Sequence, residues 1–338
     1  MSGCILVFGM PRSGTTWVGK LFDSHPDTLY RHEPDSVRRL GLPLYPEIES
    51  ARQYRDELEQ FVASLPRMRS SKVVGKQPLF PKSYQSAAAL AAYRASVAAA
   101  KVANRVRRNF PCPYRPTGAG LERVRVVWKS IESQGRLGVC MEALPAARAI
   151  HLMRHPCGYV ASILRGEAAN RFGDLIPSAE DLWLFKLLLA TPAGKEHSIT
   201  LEDIRQLTPE ERLAWRWVLI QEKTLADAEQ SDRVLTVRYE DICAEPSSIT
   251  RRIFDFAGLD WQSQTEAFVL ASTPSAEQAR NTDYYSVFKT PKASAERWRT
   301  ELTPEIIERV MKILRSSALN RYYPIEGRVP ATAAEVAT

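Results

Sequence analysis

The sequence predicts an α/β fold, a central parallel sheet with helices on both faces, and three observations carry that expectation. Apolar runs of buried-strand length recur at Cys4–Phe8, Val124–Trp128, Ala149–Met153 and Val234–Tyr239. Helix starts with recognisable caps stand between and after them, and strands alternating with helices form parallel sheets covered on both sides. Polar residues gather directly after strands: Arg12, His32-Glu33, Lys129 and Arg154. Ligands collect at the carboxyl ends of the strands in such a sheet, so these residues are expected along one edge.

The first run leads into Gly9-Met10-Pro11-Arg12-Ser13-Gly14-Thr15-Thr16-Trp17, a turn held by two glycines and then a helix start. Backbone N–H groups and the positive end of the helix dipole converge in such a turn and make an anion site. Arg12 and the hydroxyls of Ser13, Thr15 and Thr16 add donors there. Trp17, Val18, Leu21 and Phe22 repeat at helical spacing, and His25-Pro26 ends that helix. Thr28–Pro34 reads as a short strand closing in His32-Glu33-Pro34, and Glu47–Leu65 as an amphipathic helix. Lys72-Val73-Val74-Gly75 fits a small strand or a turn equally well.

Ser83–Asn109 is Ala-rich and predicts a long helix. Arg94, Lys101, Arg105, Arg107 and Arg108 give it a solvated basic side; the competing reading is an insert covering an acceptor. Pro111–Gly120 forms a loop. Ser178-x-x-Asp181 is expected to open the helix Leu182–Ala190, whose apolar residues are read as core. Thr208-Pro209-Glu210-Glu211 combines an N-cap, a first-turn proline and a capping-box acid. Pro246 opens a helix that closes at Gly258, and Thr303-Pro304 opens the last one. His151, His155 and His197 are read as structural. The expected organisation is a single domain over 1–328, with helical inserts near 40–120 and 167–232 and a disordered tail over 329–338.

Composition narrows the partners. Hydrophobic and charged residues at 44% and 25% suit an ordinary soluble globular protein. Lys and Arg number 46 against 39 Asp and Glu, a net +7 that favours an anionic ligand. No dense basic run with interleaved aromatics accompanies it, so no nucleic-acid partner is expected. Cys4, Cys112, Cys140, Cys157 and Cys243 form neither a C-x-x-C pair nor a zinc-spaced set. Scattered reduced thiols, the absence of a leader before the first strand and the lack of an apolar run near ~18 residues predict a cytoplasmic protein with no membrane span.

Four residues separate Gly9 from Gly14, the spacing of a Walker A loop, which points to a P-loop-containing nucleoside triphosphate hydrolase-like fold. Thr15 stands where that loop needs Lys, so the usual partner of the β- and γ-phosphates is missing. The full string Pro11-Arg12-Ser13-Gly14-Thr15-Thr16-Trp17 resembles the 5′-phosphosulfate-binding loop of sulfotransferases that use 3′-phosphoadenosine 5′-phosphosulfate (PAPS). It is most similar to the carbohydrate and tyrosylprotein branches, which carry Arg where the cytosolic small-molecule enzymes carry Lys. The resemblance implies that Arg12, Ser13, Gly14, Thr15, Thr16 and Trp17 bind the donor.

Arg154-His155-Pro156 with Ser162 resembles the element that grips the ribose 3′-phosphate, in which the strand-end Arg and the helix Ser share the ligand. Glu33 matches a catalytic Glu of the tyrosylprotein branch in its spacing from Arg12, and Glu33-Pro34 matches a Glu-Pro of the carbohydrate branch. It is the first candidate for the base that takes the acceptor's hydroxyl proton; His32 is the rival, since the small-molecule branch uses His. Lys129 matches a family Lys that stabilises the transferring group and bridging oxygen, although Ile131 replaces the Pro that usually follows two residues on. Tyr239 resembles a residue near the adenine, and Phe288-Lys289 with Arg297-Trp298 resembles a loop closing over the 3′-phosphate end, with Arg297 in place of a family Lys. The resemblance covers about residues 4–34, 124–166 and 233–300; acceptor specificity is expected in the unmatched stretches 40–120 and 167–232.

The resemblance thus implies an enzyme that moves a sulfuryl group from PAPS to a hydroxyl on a small molecule, glycan or lipid, or to a tyrosyl-like group. Adenosine 3′,5′-bisphosphate is released and no metal takes part. Two other readings stand beside it: a P-loop kinase using ATP and Mg²⁺, and a non-catalytic nucleotide-binding protein of the same fold. The sequence carries no signature of oligomeric state.

Overall fold

A computed structural model describes residues 3–106, 110–112, 124–172, 176–273 and 291–324. The chain divides into two compact units, one running to Met153 and resuming over Asp227–Ser294, the other formed by Arg154–Ala226 and the residues from Ala295 on.

In the first unit, β1 (Ile5–Gly9) leads into α1 (Thr15–Ser24) and β2 (Thr28–His32). There follow α2 (Ala51–Ser64), the single turn α3 (Ser71–Val74), α4 (Ala87–Val106), β3 (Arg125–Ser130), α5 (Leu137–Ala143), β4 (Arg148–Met153) and β5 (Val234–Arg238). The sheet order is β2-β3-β1-β4-β5, and every neighbouring pair is parallel. Register sets Ile5 level with Val127 and Arg148, and His32 level with Lys129. All five residues of β1 are buried, as a central parallel strand covered on both faces requires.

Side-chain alternation distributes that burial. Leu6, Phe8, Trp128 and Ala149 pack with Leu58 and Phe61 of α2 and with Leu137 and Met141 of α5. Trp128 anchors this layer, its ring lying 5.1 Å from Phe8 and 4.7 Å from Phe61. Another group of helices comprises α1 and Pro246–Ala257, where Phe22 stacks on Phe254 at 5.1 Å.

Several elements differ from their sequence reading. Of the strand and the turn weighed for Lys72–Gly75 the structure has no strand; Ser71–Val74 is a single helical turn, with Val73 and Val74 buried against Leu79, Val97 and Ala100. The strand expected over Val124–Trp128 runs on to Ser130, so Lys129 lies inside it rather than after it. Tyr239 opens the helix Tyr239–Ala244 instead of ending β5. The Ala-rich helix spans Ala87–Val106, with Leu90, Val97 and Ala100 buried; residues 107–109 lie outside the described residues. The tail from Val329 lies outside them too.

The second unit opens on Arg154 and α6 (Pro156–Ala168). His155 has the structural role expected of it: its Nδ1 accepts from the Cys157 N–H, and its ring stacks on Trp298 at 4.5 Å. Next comes α7 (Leu182–Leu189), capped by Asp181, whereas Ser178 begins a separate 3₁₀ turn and caps nothing there. Only one face of α7 is core, through Leu184, Phe185 and Leu188, since Trp183 stays exposed. The capping box at Thr208 is formed: its N–H donates to Glu211 Oε2 at 3.0 Å, and Glu211 N–H donates to Thr208 Oγ1 at 3.4 Å. Among the described residues no helix is long and apolar enough to cross a membrane.

Candidate active site

The turn after β1 is held open by backbone geometry. Gly14 has φ +84° and a Cβ there would come 2.4 Å from the Tyr239 ring, so only glycine fits. Arg12 also takes a left-handed backbone, φ 73°, a conformation that non-glycine residues adopt mainly where the fold imposes it. Gly14 stands at the N-cap of α1 without any side chain capping the first turn. The first N–H groups of that ten-residue helix are therefore disposed to receive an anion. Ser13 is fully buried, and its hydroxyl has no hydrogen-bond partner among the described residues, an orphan donor of the kind a bound oxyanion satisfies. Trp17, in contrast, is engaged structurally: its indole N–H donates to Ser272 Oγ at 3.0 Å and its ring meets Tyr239 edge-on at 6.2 Å.

One strand further along the edge, Glu33 and Lys129 come together. The Glu33 N–H donates to the Lys129 carbonyl at 2.8 Å, continuing the β2–β3 ladder one residue beyond β2. The chain then turns through a left-handed Glu33, φ 49° and ψ 52°, into a 3₁₀ turn at Pro34–Ser36. That turn brings the carboxylate back over the strand end, with Oε1 2.5 Å from Lys129 Nζ. Lys129 is 1% exposed, and burial lowers its pKa while Glu33 pulls it back up. Its ammonium uses one of three donors on Glu33.

His32 sits beside them in a different electrostatic position. Its Nε2 is 3.7 Å from Glu33 Oε1 and its Nδ1 2.8 Å from the Tyr30 hydroxyl. Burial first, then the charges of Lys129, Lys76, Lys20 and Lys72, push its pKa down to about 2. A ring held neutral so far down is a weak base, which favours Glu33 of the two candidates. Stability carries the same signature. The folded state keeps His32 neutral where the unfolded chain protonates it, so this contribution is complete above pH 6.5 and is lost as pH falls towards 2. His32→Gln is expected to flatten the acid side of the stability profile, read as urea midpoints at several pH values below 6.5; an unchanged slope would refute it.

Three residues here escaped the sequence reading. Asp35 is buried and accepts from the hydroxyls of Ser130 and Ser133, the latter at 2.6 Å, which fixes the end of β3 next to Lys129. Only its place in His32-Glu33-Pro34-Asp35 hinted at this. Lys72 Nζ lies 3.8 Å from Glu33 Oε2, and Lys76 is within electrostatic reach of Glu33. Lys72 belongs to the segment whose secondary structure the sequence left open, and Lys76 follows it directly.

In the second unit, Arg154 and Ser162 are buried, and Ser162 lies on α6. The Trp217 indole donates to the Arg154 carbonyl at 3.0 Å, and Arg165 donates to Ser162 Oγ at 3.3 Å. Arg297 is paired with Glu301 at 2.6 Å, and Arg165 also pairs with Glu301. Lys289 lies outside the described residues. Among the described residues no group of three or more His, Cys, Asp or Glu side chains is disposed to hold a metal ion.

The family model described as the sulfotransferase domain matches residues 3–322. Human carbohydrate sulfotransferase 2 is 25% identical over 345 residues, covering 90% of this chain and 62% of the relative; the mouse protein is 26% identical over 346 residues with the same coverage. The chain thus spans less than two thirds of the length of these curated relatives. Among solved structures, the sulfotransferase domain of a Synechococcus olefin synthase is 18% identical at a TM-score of 0.42, covering 92% of this chain and 94% of that one. A mouse sulfotransferase solved with PAP is 11% identical at a TM-score of 0.42, covering 95% and 86%.

Proposed function

The chain belongs to the sulfotransferase-domain family, and from that premise we propose that it transfers a sulfuryl group from PAPS to an acceptor hydroxyl and releases adenosine 3′,5′-bisphosphate. The observation that carries the reading is the Glu33–Lys129 pair at 2.5 Å, formed at the ends of β2 and β3 with the anion turn following the adjacent β1. A binding module needs no carboxylate beside its anion loop.

In this scheme the N–H groups at the start of α1, with Ser13, Thr15, Thr16 and Arg12, hold the phosphosulfate end of the donor. Glu33 takes the proton of the acceptor hydroxyl as its oxygen forms a bond to sulfur. The bond between sulfur and the bridging oxygen breaks, and its electron pair leaves on the 5′-phosphate of the bisphosphate. Lys129 uses its remaining N–H groups for the charge that develops on the bridging and transferring oxygens. Arg154 and Ser162 are the proposed holders of the 3′-phosphate, with Tyr239, Lys289 and Arg297 as further nucleotide contacts, on the order and spacing of their motifs. Family relatives named for carbohydrate acceptors favour a sugar hydroxyl as the site of transfer. Five buried free thiols suit a reducing compartment such as a cytoplasm.

Thermal shift and product analysis test the reading together. Adenosine 3′,5′-bisphosphate is expected to raise the melting temperature, and incubation with PAPS and a panel of glycans, glycolipids and tyrosyl peptides to yield bisphosphate plus a sulfated product. Stabilisation by Mg·ATP alone would overturn it.

A further inference from the structure

We propose that His32 donates a hydrogen bond from its Nε2–H to the reacting hydroxyl of the acceptor, and that Tyr30 is the positioning residue that keeps the proton on Nε2. The inference rests on the reading of Glu33 as base.

Strand geometry brings the two rings together. Side chains two apart on β2 share a face, so Tyr30 and His32 lie side by side with ring centroids 6.0 Å apart. The Tyr30 hydroxyl is 2.8 Å from His32 Nδ1. A Cβ on Gly19 of α1 would come 2.7 Å from the same hydroxyl, so the helix closes its other side. Tyr30 is buried, and among the described residues no other group takes a hydrogen bond from it.

Hydrogen-bond accounting then assigns the tautomer. A neutral imidazole has one N–H and one lone pair. If Nδ1 carried the proton and donated to the phenol oxygen, the phenol O–H would be a buried donor left without an acceptor, an arrangement that costs free energy. With the phenol as donor, Nδ1 accepts and the proton stands on Nε2. Burial and the charges of Asp23 and Glu33 raise the Tyr30 pKa well above its usual value, so the phenol keeps the proton it donates. Burial and the surrounding lysines in turn hold the His32 ring neutral.

The Nε2–H lies beside Glu33 without bonding to it. Nε2 is 3.7 Å from Oε1, beyond hydrogen-bond length, while Lys129 is the close partner of that oxygen. Both side chains keep some exposure, 11% for His32 and 15% for Glu33, so a ligand can reach them. A hydroxyl oxygen seated against the carboxylate can donate to Glu33 and accept from Nε2. As its proton passes to Glu33, one lone pair of that oxygen forms the bond to sulfur and another keeps the hydrogen bond from Nε2. The electron pair of the broken sulfur–oxygen bond leaves on the 5′-phosphate, and the His32 proton stays where it is. His32 thus fixes where the acceptor oxygen sits and does not take its proton.

Two measurements on the full chain test this. Nitrogen-15 NMR with labelled histidine and bound adenosine 3′,5′-bisphosphate is expected to show the Nε2–H tautomer for His32, the signal being identified by its loss in His32→Gln. Tyr30→Phe is expected to move that tautomer towards Nδ1–H. A wild-type Nδ1–H tautomer, or one that Tyr30→Phe leaves unchanged, would overturn the proposal. Kinetics use PAPS and the glycan of the acceptor panel that gives most sulfated product. His32→Leu is expected to lower kcat/KM for that glycan about ten- to a hundredfold, and Tyr30→Phe about threefold, with bisphosphate affinity unchanged in both. His32→Gln is expected to recover most of the loss, since its amide keeps an N–H near the Nε2 position but cannot take a proton. Equal losses in His32→Gln and His32→Leu would overturn the proposal in favour of His32 as base. Should His32→Leu fail to fold, Tyr30→Phe decides, and an unchanged kcat/KM there would overturn the positioning role. Failure of every acceptor to yield a sulfated product would instead strike at the sulfotransferase reading, while the tautomer still decides which nitrogen of His32 donates.

Discussion

Glu33→Gln is expected to lower kcat by about 10²–10⁴-fold while bisphosphate affinity stays within a few-fold of wild type. The substitution keeps the side chain's size and leaves the backbone tie between Glu33 N–H and the Lys129 carbonyl untouched. It also leaves an amide oxygen to accept from Lys129. What it removes is the capacity to take a proton. The loss should therefore appear in turnover and not in nucleotide binding, a split that separates a role in the chemistry from a role in holding the donor. Near-normal turnover would exclude Glu33 as base and return attention to His32, despite the strongly depressed pKa of that ring.

Lys129→Met should be nearly as damaging, with an expected loss of about 10²–10³-fold in kcat. Methionine fills much of the same buried space, so the core around β3 should survive. The positive charge does not, and the departing bisphosphate then gains negative charge with no ammonium facing it. Lys129→Arg is not expected to rescue the activity, because a planar guanidinium does not fit the buried site of an amine that lies 2.5 Å from Glu33. Equal falls in kcat and in kcat/KM for the acceptor would place the effect in the transition state. A fall confined to kcat/KM with kcat retained would show that Lys129 only binds substrate.

Much of this was legible in the residues, for identifiable reasons. The strands were readable because parallel strands buried on both faces are unbroken apolar runs, as Ile5-Leu6-Val7-Phe8 is. The helix Pro209–Ala228 announced itself because Thr208 and Glu211 satisfy each other's backbone N–H groups within one turn. The turn between β1 and α1 was readable from its glycines and their spacing. Lys72 and Lys76 were not, because their place beside Glu33 depends on a tertiary event, the burial of Val73 and Val74 against α4, that no local pattern encodes. Asp35 escaped for a related reason: its partners Ser130 and Ser133 lie more than ninety residues away in the chain. Ser178 misled because the capping pattern is purely local, and the chain places Asp181 at the helix start instead.

The close approach of the Tyr239 ring to Gly14 has a consequence for binding energetics. A turn wedged between a helix start and an aromatic face, and pinned at its other glycine by the Leu152 carbonyl 2.6 Å from where a Cβ would stand, has little conformational freedom to lose. Donor binding should therefore involve a small ordering penalty at this turn, leaving more of the phosphosulfate contact energy to appear as affinity.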